Sequence, residues 1–350
     1  MVCQRSNMRK LLVTIFAGVL LTNAVLAAVN GPGTTAANYL KIGLGAKAVA
    51  LGENFTAGTD DTSSIYWNTA GLSSVKNTRV DFMQLNWLAG ISAKTIFGAL
   101  PLSERDTLGA SVLMLDTPQD KETTFAPDGS STWYETGDKF KSAISVFNLG
   151  YSRAISNSFH AGLGIKLINE DLAGDKTDGA ALDAGIIYEG LLLPELTLGV
   201  SLQNLGLKQL RPDEEFPTQF SLGFNYTTVL FRNILNILTD VKIPNDNEPR
   251  FGVGAEYWLG QYFAARFGFN TFSQFSIGLG VAFSSLAADY AYVPMGELGI
   301  THRISLGYTF GLPKKSANTA KQSVPEKQKQ ADVIDLSKDS ASDLFTKFDF

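Results

Sequence analysis

The chain has one cysteine and two histidines in 350 residues. So little sulfur and imidazole excludes a disulfide-built scaffold and leaves no ligand set for a zinc site or a histidine-based catalytic centre. Charge is also scarce, at 18% of residues against about 25% in ordinary soluble proteins. The formal balance is −5, so no basic surface for nucleic acid is available. Long apolar runs are missing after residue 27, whereas a spanning helix needs roughly 20 mostly apolar residues. The nearest candidate, the uncharged stretch between Arg266 and Asp289, is interrupted by Asn270, Thr271, Ser273, Gln274 and Ser276. These absences remove helical membrane proteins, metalloproteins and DNA binders. A soluble all-β domain and a membrane β-barrel remain.

What the chain has instead is alternation. Hydrophobic residues make up 45% of it, with 33 Gly and 23 Phe. In Phe275-Ser276-Ile277-Gly278-Leu279-Gly280-Val281-Ala282-Phe283 every odd position is large and apolar and every even one is small. The stretch from His302 to Phe310 repeats this on even positions, and Phe251–Tyr257 and Phe220–Tyr226 do so again. A period of two with one apolar face marks a strand. Such segments fall at 78–86, 91–100, 106–115, 141–153, 159–170, 179–189 and 196–204. They continue at 218–227, 234–243, 250–259, 262–270, 274–284, 287–294 and 301–310. Most have the ~9–11 residues that a tilted strand needs to cross a bilayer.

A soluble sandwich would load its second face with Lys and Glu; here that face carries Gly, Ser, Ala and Asn. The pattern predicts an all-β fold, a transmembrane outer-membrane β-barrel of about 14 antiparallel strands. Closure leaves no unpaired backbone edge in lipid. The connections agree: Asp116–Phe140 is about 24 polar residues and Leu205–Pro217 about a dozen, while Ser103-Glu104-Arg105 and Gly260-Gln261 on the opposite side are short. Long outer loops over short periplasmic turns are usual in such barrels.

The two ends differ from the body. Arg5, Arg9 and Lys10 precede the apolar run Leu11–Leu21, and Val25-Leu26-Ala27 supplies small residues for a signal peptidase. Residues 1–27 therefore read as a secretory signal peptide. Their loss takes Cys3 away and moves the formal charge from −5 to −8. Residues 311–350 have the Lys-, Gln-, Ser- and Asp-rich composition of a disordered polar tail.

Residues 28–76 are not barrel-like, and the barrel proper is expected over 77–310. A small-residue run, Gly43-Leu44-Gly45-Ala46-Lys47-Ala48-Val49-Ala50-Leu51-Gly52, leads to Asp60-Asp61 and to Trp67-Asn68-Thr69-Ala70-Gly71. This resembles the N-terminal motif of the PorV/PorQ proteins within the FadL-like superfamily of outer-membrane barrels, which usually have Pro where this chain has Thr69. The likeness continues at Gln203-Asn204-Leu205-Gly206, at Arg266-Phe267-Gly268, and through Asp289-Tyr290-Ala291-Tyr292-Val293-Pro294 to Thr301-His302-Arg303. It implies fourteen strands with residues 28–76 as a hatch inside them, and a hatch motif of Asp60, Asp61, Trp67, Asn68, Ala70 and Gly71. It also implies outer-membrane lipid as surroundings, and binding or shuttling of cargo in a type IX-like secretion pathway, with secreted proteins or other secretion components as partners. The alternative it carries is FadL-like transport of long-chain fatty acids or other hydrophobic small molecules.

No catalytic constellation is present, and neither a metal nor a cofactor is expected. The fragment Gly43–Ala48 fits a relaxed dinucleotide fingerprint but lacks the preceding strand that gives the motif meaning. Inward charges are more informative: Glu256 opposite Arg266, and Asp289 paired with Arg303. They read either as ties within the wall or as hatch anchors facing Asp60, Asp61 and Asn68. His160 and His302 are expected on or near the lumen face.

Overall fold

The computed structural model describes residues 31, 33–125, 133–272 and 274–311. The leader expected over 1–27 lies outside the described residues, as does the tail expected from 311 onward apart from Gly311.

Sixteen strands form among the described residues. The first three are β1 (Arg79–Asn86), β2 (Ser92–Pro101) and β3 (Asp106–Asp116), followed by two short ones, β4 (Asp120–Phe125) and β5 (Trp133–Phe140). Four long strands come next: β6 (Ser142–Ala154), β7 (Phe159–Leu172), β8 (Asp175–Glu189) and β9 (Leu196–Lys208). Then follow β10 (Gln219–Leu230), β11 (Asn233–Pro244), β12 (Arg250–Leu259) and β13 (Phe263–Asn270). The last are β14 (Gln274–Phe283), β15 (Leu286–Pro294) and β16 (Ile300–Thr309). All but β4 and β5 join one closed antiparallel barrel of fourteen strands, sealed by β1 against β16. This is the build of an outer-membrane barrel.

The alternating residues sort as the period of two requires. Along β13, Phe263, Phe267 and Phe269 are exposed on the outer face while Ala264, Arg266, Gly268 and Asn270 are buried. The same parity turns His302 outward, because its neighbours Thr301 and Arg303 are the buried positions of β16. The expectation that His302 lies near the lumen is thus corrected: its Nδ1 sits 2.8 Å from the Tyr290 hydroxyl on the outer face. His160 faces inward, with Nδ1 2.7 Å from Ser73 Oγ.

Two regions depart from the sequence-based expectation. The polar connection after β3 is not all loop; β4 and β5 pair as a separate two-stranded ribbon, tied by Lys121 and Glu135 at 2.7 Å. Strand β8 begins four residues earlier than its apolar alternation, and β9 runs four residues past it. Pairing there continues beyond the apolar band, where lipid no longer selects the outward side chains.

The lumen is filled by the segment that precedes β1. A 3-10 turn at Asn38–Lys41 leads to α1 (Ala46–Ala50); α2 (Ser64–Trp67) and a second 3-10 turn at Thr69–Ser74 follow. Nearly every residue from Leu44 to Ser73 is buried. The wall admits this hatch by presenting glycine where the two backbones meet. A Cβ on Gly268 would fall on the Gly52 nitrogen and the Leu51 carbonyl carbon; one on Gly162 would fall on Ala70 N and Thr69 C. Gly52 itself has φ +69, so glycine serves both its turn and its approach to the wall.

Substituting Gly268→Ala or Gly162→Ala should therefore lower folding stability by about 1–3 kcal/mol through overpacking against backbone. Outward-facing Gly98→Ala, with no atom nearer than Ala110 O at 3.9 Å, should change it little. Urea titration of refolding into vesicles measures both; equal effects at the three sites would show that the hatch is not seated on these glycines.

Candidate functional site

An irregular segment inside a closed barrel has a local problem: the wall's backbone groups are already paired in the ladder. Its own N–H and C=O groups must find inward side chains instead. Ser276 Oγ accepts from Gly52 N at 3.0 Å and donates to Ala50 O at 3.1 Å. Asn270 Nδ2 donates to Gly52 O at 2.9 Å, and Ala46 N donates to Ser305 Oγ at 3.0 Å. Asp240 Oδ2 accepts from Phe55 N at 2.9 Å, Thr56 N at 3.0 Å and Thr56 Oγ1 at 2.7 Å. Ser152 Oγ donates to Ala70 O at 2.8 Å, and Gln203 Nε2 donates to Tyr66 O.

The motif residues divide into those that hold the hatch together and those that touch the wall. Asn68 does both. Its Nδ2 donates to Thr56 O at 2.8 Å, Ile186 O at 3.2 Å and Val200 O at 3.3 Å, while its Oδ1 accepts from Ala70 N at 3.2 Å. Thr69 opens the second 3-10 turn, the position where a proline's missing N–H matters least. Trp67 Nε1 donates to Leu44 O at 2.8 Å, and the Lys242 ammonium lies 4.4 Å from the Trp67 ring. Gly71 packs where a Cβ would strike Thr59 and Ser64.

Of the two expected pairs among the four inward charges, one forms and the other does not. Glu256 and Arg266 are direct cross-strand neighbours, and Arg266 Nε donates to Glu256 Oε2 at 2.7 Å. Asp289 does not pair with Arg303, because register puts Asp289 opposite Ser305. Arg266 Nη1 reaches it instead, at 2.7 Å, across β14 where Gly280 leaves the room. Arg303 Nε donates to Gly43 O of the hatch at 3.2 Å and Nη1 to Thr301 Oγ1 at 3.0 Å; no carboxylate among the described residues pairs with it.

Asp60, Asp61 and Asn68 are not the direct counterparts of these charges. The hatch reaches them through Lys47, 2.7 Å from Asp60 Oδ1 and 3.8 Å from Glu256 Oε2. The result is a chain of alternating sign, Asp60–Lys47–Glu256–Arg266–Asp289. Burial alone would lower the Lys47 pKa, but Asp60 and Glu256 more than offset this and hold its ammonium above the ordinary range. Asp61 stays within the hatch, accepting from Ser63 N at 2.8 Å and Ser63 Oγ at 2.6 Å. Desolvation pushes its carboxyl up to about 6, with Lys47 opposing and Asp60 adding to the rise.

A second buried centre has no counterpart among the charges expected from sequence. Lys166 Nζ lies 2.8 Å from Asp183 Oδ2 and 2.5 Å from Asn204 Oδ1. Asn204 has φ +59 where β9 bulges against β8, and its N–H donates to Asp183 Oδ1 at 2.8 Å. The available signal was parity: Lys166 and Asp183 both occupy inward positions of adjacent strands.

Across the mouth with the longer loops, Asp246 accepts from Thr35 Oγ1 and Lys41 Nζ. The lumen cavities beside Glu53 and Lys242 measure only about 10–20 Å³, room for about one water. The site as a whole secures an irregular plug and the barrel wall around it, through ties within the hatch, within the wall and between the two.

No protein-family model and no curated protein matches this sequence. Among solved structures, the chain is similar to a ΔS2S3 mutant of the TodX monoaromatic hydrocarbon channel. That alignment has a TM-score of 0.53 and 12% identity, covering 77% of this chain and 99% of that one. A FadL homologue from Pseudomonas aeruginosa aligns with a TM-score of 0.49 and 12% identity, over 76% and 98%. The toluene transporter TodX of Pseudomonas putida aligns at 0.45 and 10%, over 80% and 96%. The first of these likenesses shows a shared β-barrel fold. At such identity the likeness is one of fold.

Two outcomes follow from the charges. Arg266→Met strands Asp289 and leaves Glu256 with Lys47 at 3.8 Å as its remaining charged partner, and should cost about 3–5 kcal/mol. Arg303→Met leaves only neutral oxygens unpartnered and should cost about 1–3 kcal/mol; equal losses in the same refolding titration would overturn this ranking. For Asp61, a folded pKa near 6 against 3.8 means that the native state holds the proton longer than the unfolded chain does. Its contribution is full below about pH 4 and is lost as pH rises through about 6. Asp61→Asn should flatten the stability profile across that window, and an unchanged difference between variant and parent from pH 4 to 6 would contradict it.

Proposed function

We propose that this protein is a non-enzymatic outer-membrane channel for small hydrophobic molecules, with the segment before β1 as its hatch. The observation that carries the reading is an irregular plug held inside an apolar-faced barrel, seated on an apolar core and tied to the wall by hydrogen bonds. Many of its polar ties are hydrogen bonds that water can replace at a net cost of about 1 kcal/mol each. Such a plug can shift without unfolding the wall. The fold shared with a monoaromatic hydrocarbon channel supports the substrate class. The long-loop mouth then faces the exterior, and the chain from Ala36 to Lys41 lies there against Glu215 and Asp246.

The secretion-carrier reading draws on the PorV/PorQ resemblance of the hatch motif and of the 289–303 block. Secreted proteins or other secretion components would be its partners. The tightness of the lumen is the observation in its favour, because a carrier of proteins needs no open path. Fold likeness lends more support to the transport reading.

A cysteine pair at Ala46 and Ser305, where N–H and hydroxyl already meet at 3.0 Å, tests the channel directly. The chain without its leader has no other cysteine. In proteoliposomes, oxidation of the pair should abolish toluene or fatty-acid entry, and reductant should restore it. Entry that is indifferent to the lock, or absent from the parent protein, sinks the channel reading. A deletion strain that loses secreted proteins but takes up hydrocarbons normally would favour the carrier.

A further inference from the structure

The outer face of the barrel is concave in one place. A groove of about 780 Å³ crosses β1, β2, β3, β6 and β7, within the range of ~300–1,000 Å³ typical of small-molecule sites. Its floor is Gly98 beside Ala110, which are register neighbours. Leu100, Leu108, Leu149 and Leu163 stand around them, all exposed. The reason for the hollow is visible on the inner side. There Gly109 and Gly150 pair, and Leu72 and Ile65 of the hatch pack against them. Small residues on both faces make the wall thin here.

The rim toward the short turns is polar and of mixed charge. Pro101, where β2 ends, is three residues from Gly98, about 10 Å along an extended strand. Beyond it, Glu104 and Arg105 are exposed, and neither forms an ion pair among the described residues. Asp106 is already occupied. It accepts from the Tyr151 hydroxyl at 2.6 Å and from Ser103 Oγ at 2.7 Å, with Arg153 Nη1 at 3.2 Å. The Arg153 side chain remains 55% exposed, so much of its guanidinium is open to a further acceptor.

We infer that this groove binds one zwitterionic phospholipid with a primary ammonium headgroup. Its acyl chain lies over Gly98 and Ala110, its phosphate meets Arg105 and Arg153, and its ammonium meets Glu104. An anionic headgroup would set a further negative charge against Glu104 and Asp106. A choline headgroup has no N–H to donate. The inference rests on the barrel lying in a membrane and not on what crosses it, so it survives a failed uptake assay.

The test reconstitutes the full protein in vesicles of equal ethanolamine and choline phospholipid, extracts it gently, and counts retained lipids by native mass spectrometry. The parent should keep one ethanolamine phospholipid per barrel. Ala110→Leu, which fills the floor, should reduce that occupancy by at least about tenfold. Gly98→Leu serves as the second filler, since a Cβ there meets nothing nearer than 3.9 Å. Both should still run as folded barrels on unheated gels. The double variant Arg105→Gln/Arg153→Gln should retain a lipid and lose the headgroup preference. Retention unaffected by either filler, equal retention of choline lipid by the parent, or a second barrel in place of the lipid would each overturn the proposal.

Discussion

One constraint organises the molecule: a closed ladder leaves its own backbone with nothing to offer an irregular segment inside it. Each orphaned and buried hatch group would cost about 1–3 kcal/mol. The wall answers in two ways. Where hatch and wall backbones touch, the inward position is glycine, as at Gly162 and Gly268. Where the hatch has an unpaired N–H or C=O, the inward position is Ser152, Gln203, Asp240, Asn270, Ser276 or Ser305. The low charge, the many glycines and the absence of long apolar runs are all consequences of a wall with lipid on one side and a backbone on the other.

The strands were legible in the sequence because lipid selects every second residue regardless of register. Parity alone placed Phe267 outside and Arg266 inside. Partners were less legible, because they depend on register and reach. Asp289 and Arg303 lie on adjacent strands and share a face, yet Asp289 falls opposite Ser305. Arg266 then crosses β14 to take Asp289 over Gly280, and nothing in a small-residue alternation distinguishes that glycine from its neighbours. The Lys166–Asp183 centre was hidden for a related reason. Asn204 joins it because β9 bulges there against β8, and a bulge changes which residues meet without changing the composition of either strand. The ribbon of β4 and β5 was illegible because no lipid selects its outward residues.

The character of the hatch interface bears on whether the plug can move. Phe55, Ile65 and Leu72 of the hatch lie in one buried apolar cluster with Phe97, Leu113 and Leu238 of the wall, and that contact would be lost on displacement at roughly 25 cal/mol per Å². Hydrogen bonds to serine, asparagine and aspartate exchange for bonds to water with little net change. The ion pairs are exceptions, since separating Lys47 from Glu256 leaves that carboxylate with Arg266 as its remaining charged partner. The plug thus has two charged holds, Lys47 at the start of α1 and Lys41 at the long-loop mouth, where it pairs with the buried Asp246.

The same wall also links the two faces of the barrel. At Gly109 and Gly150 the hatch presses from within, and at Gly98 and Ala110 the outer surface is hollow, with one sheet thickness between them. A lateral shift of Leu72 and Ile65 would remove the inner support of just those strands. Whatever fills the outer hollow then stands against the inward-pressing residues across a layer without side chains of its own. Glycine here does more than admit the hatch: it makes the state of the lumen and the state of the lipid face mechanically adjacent.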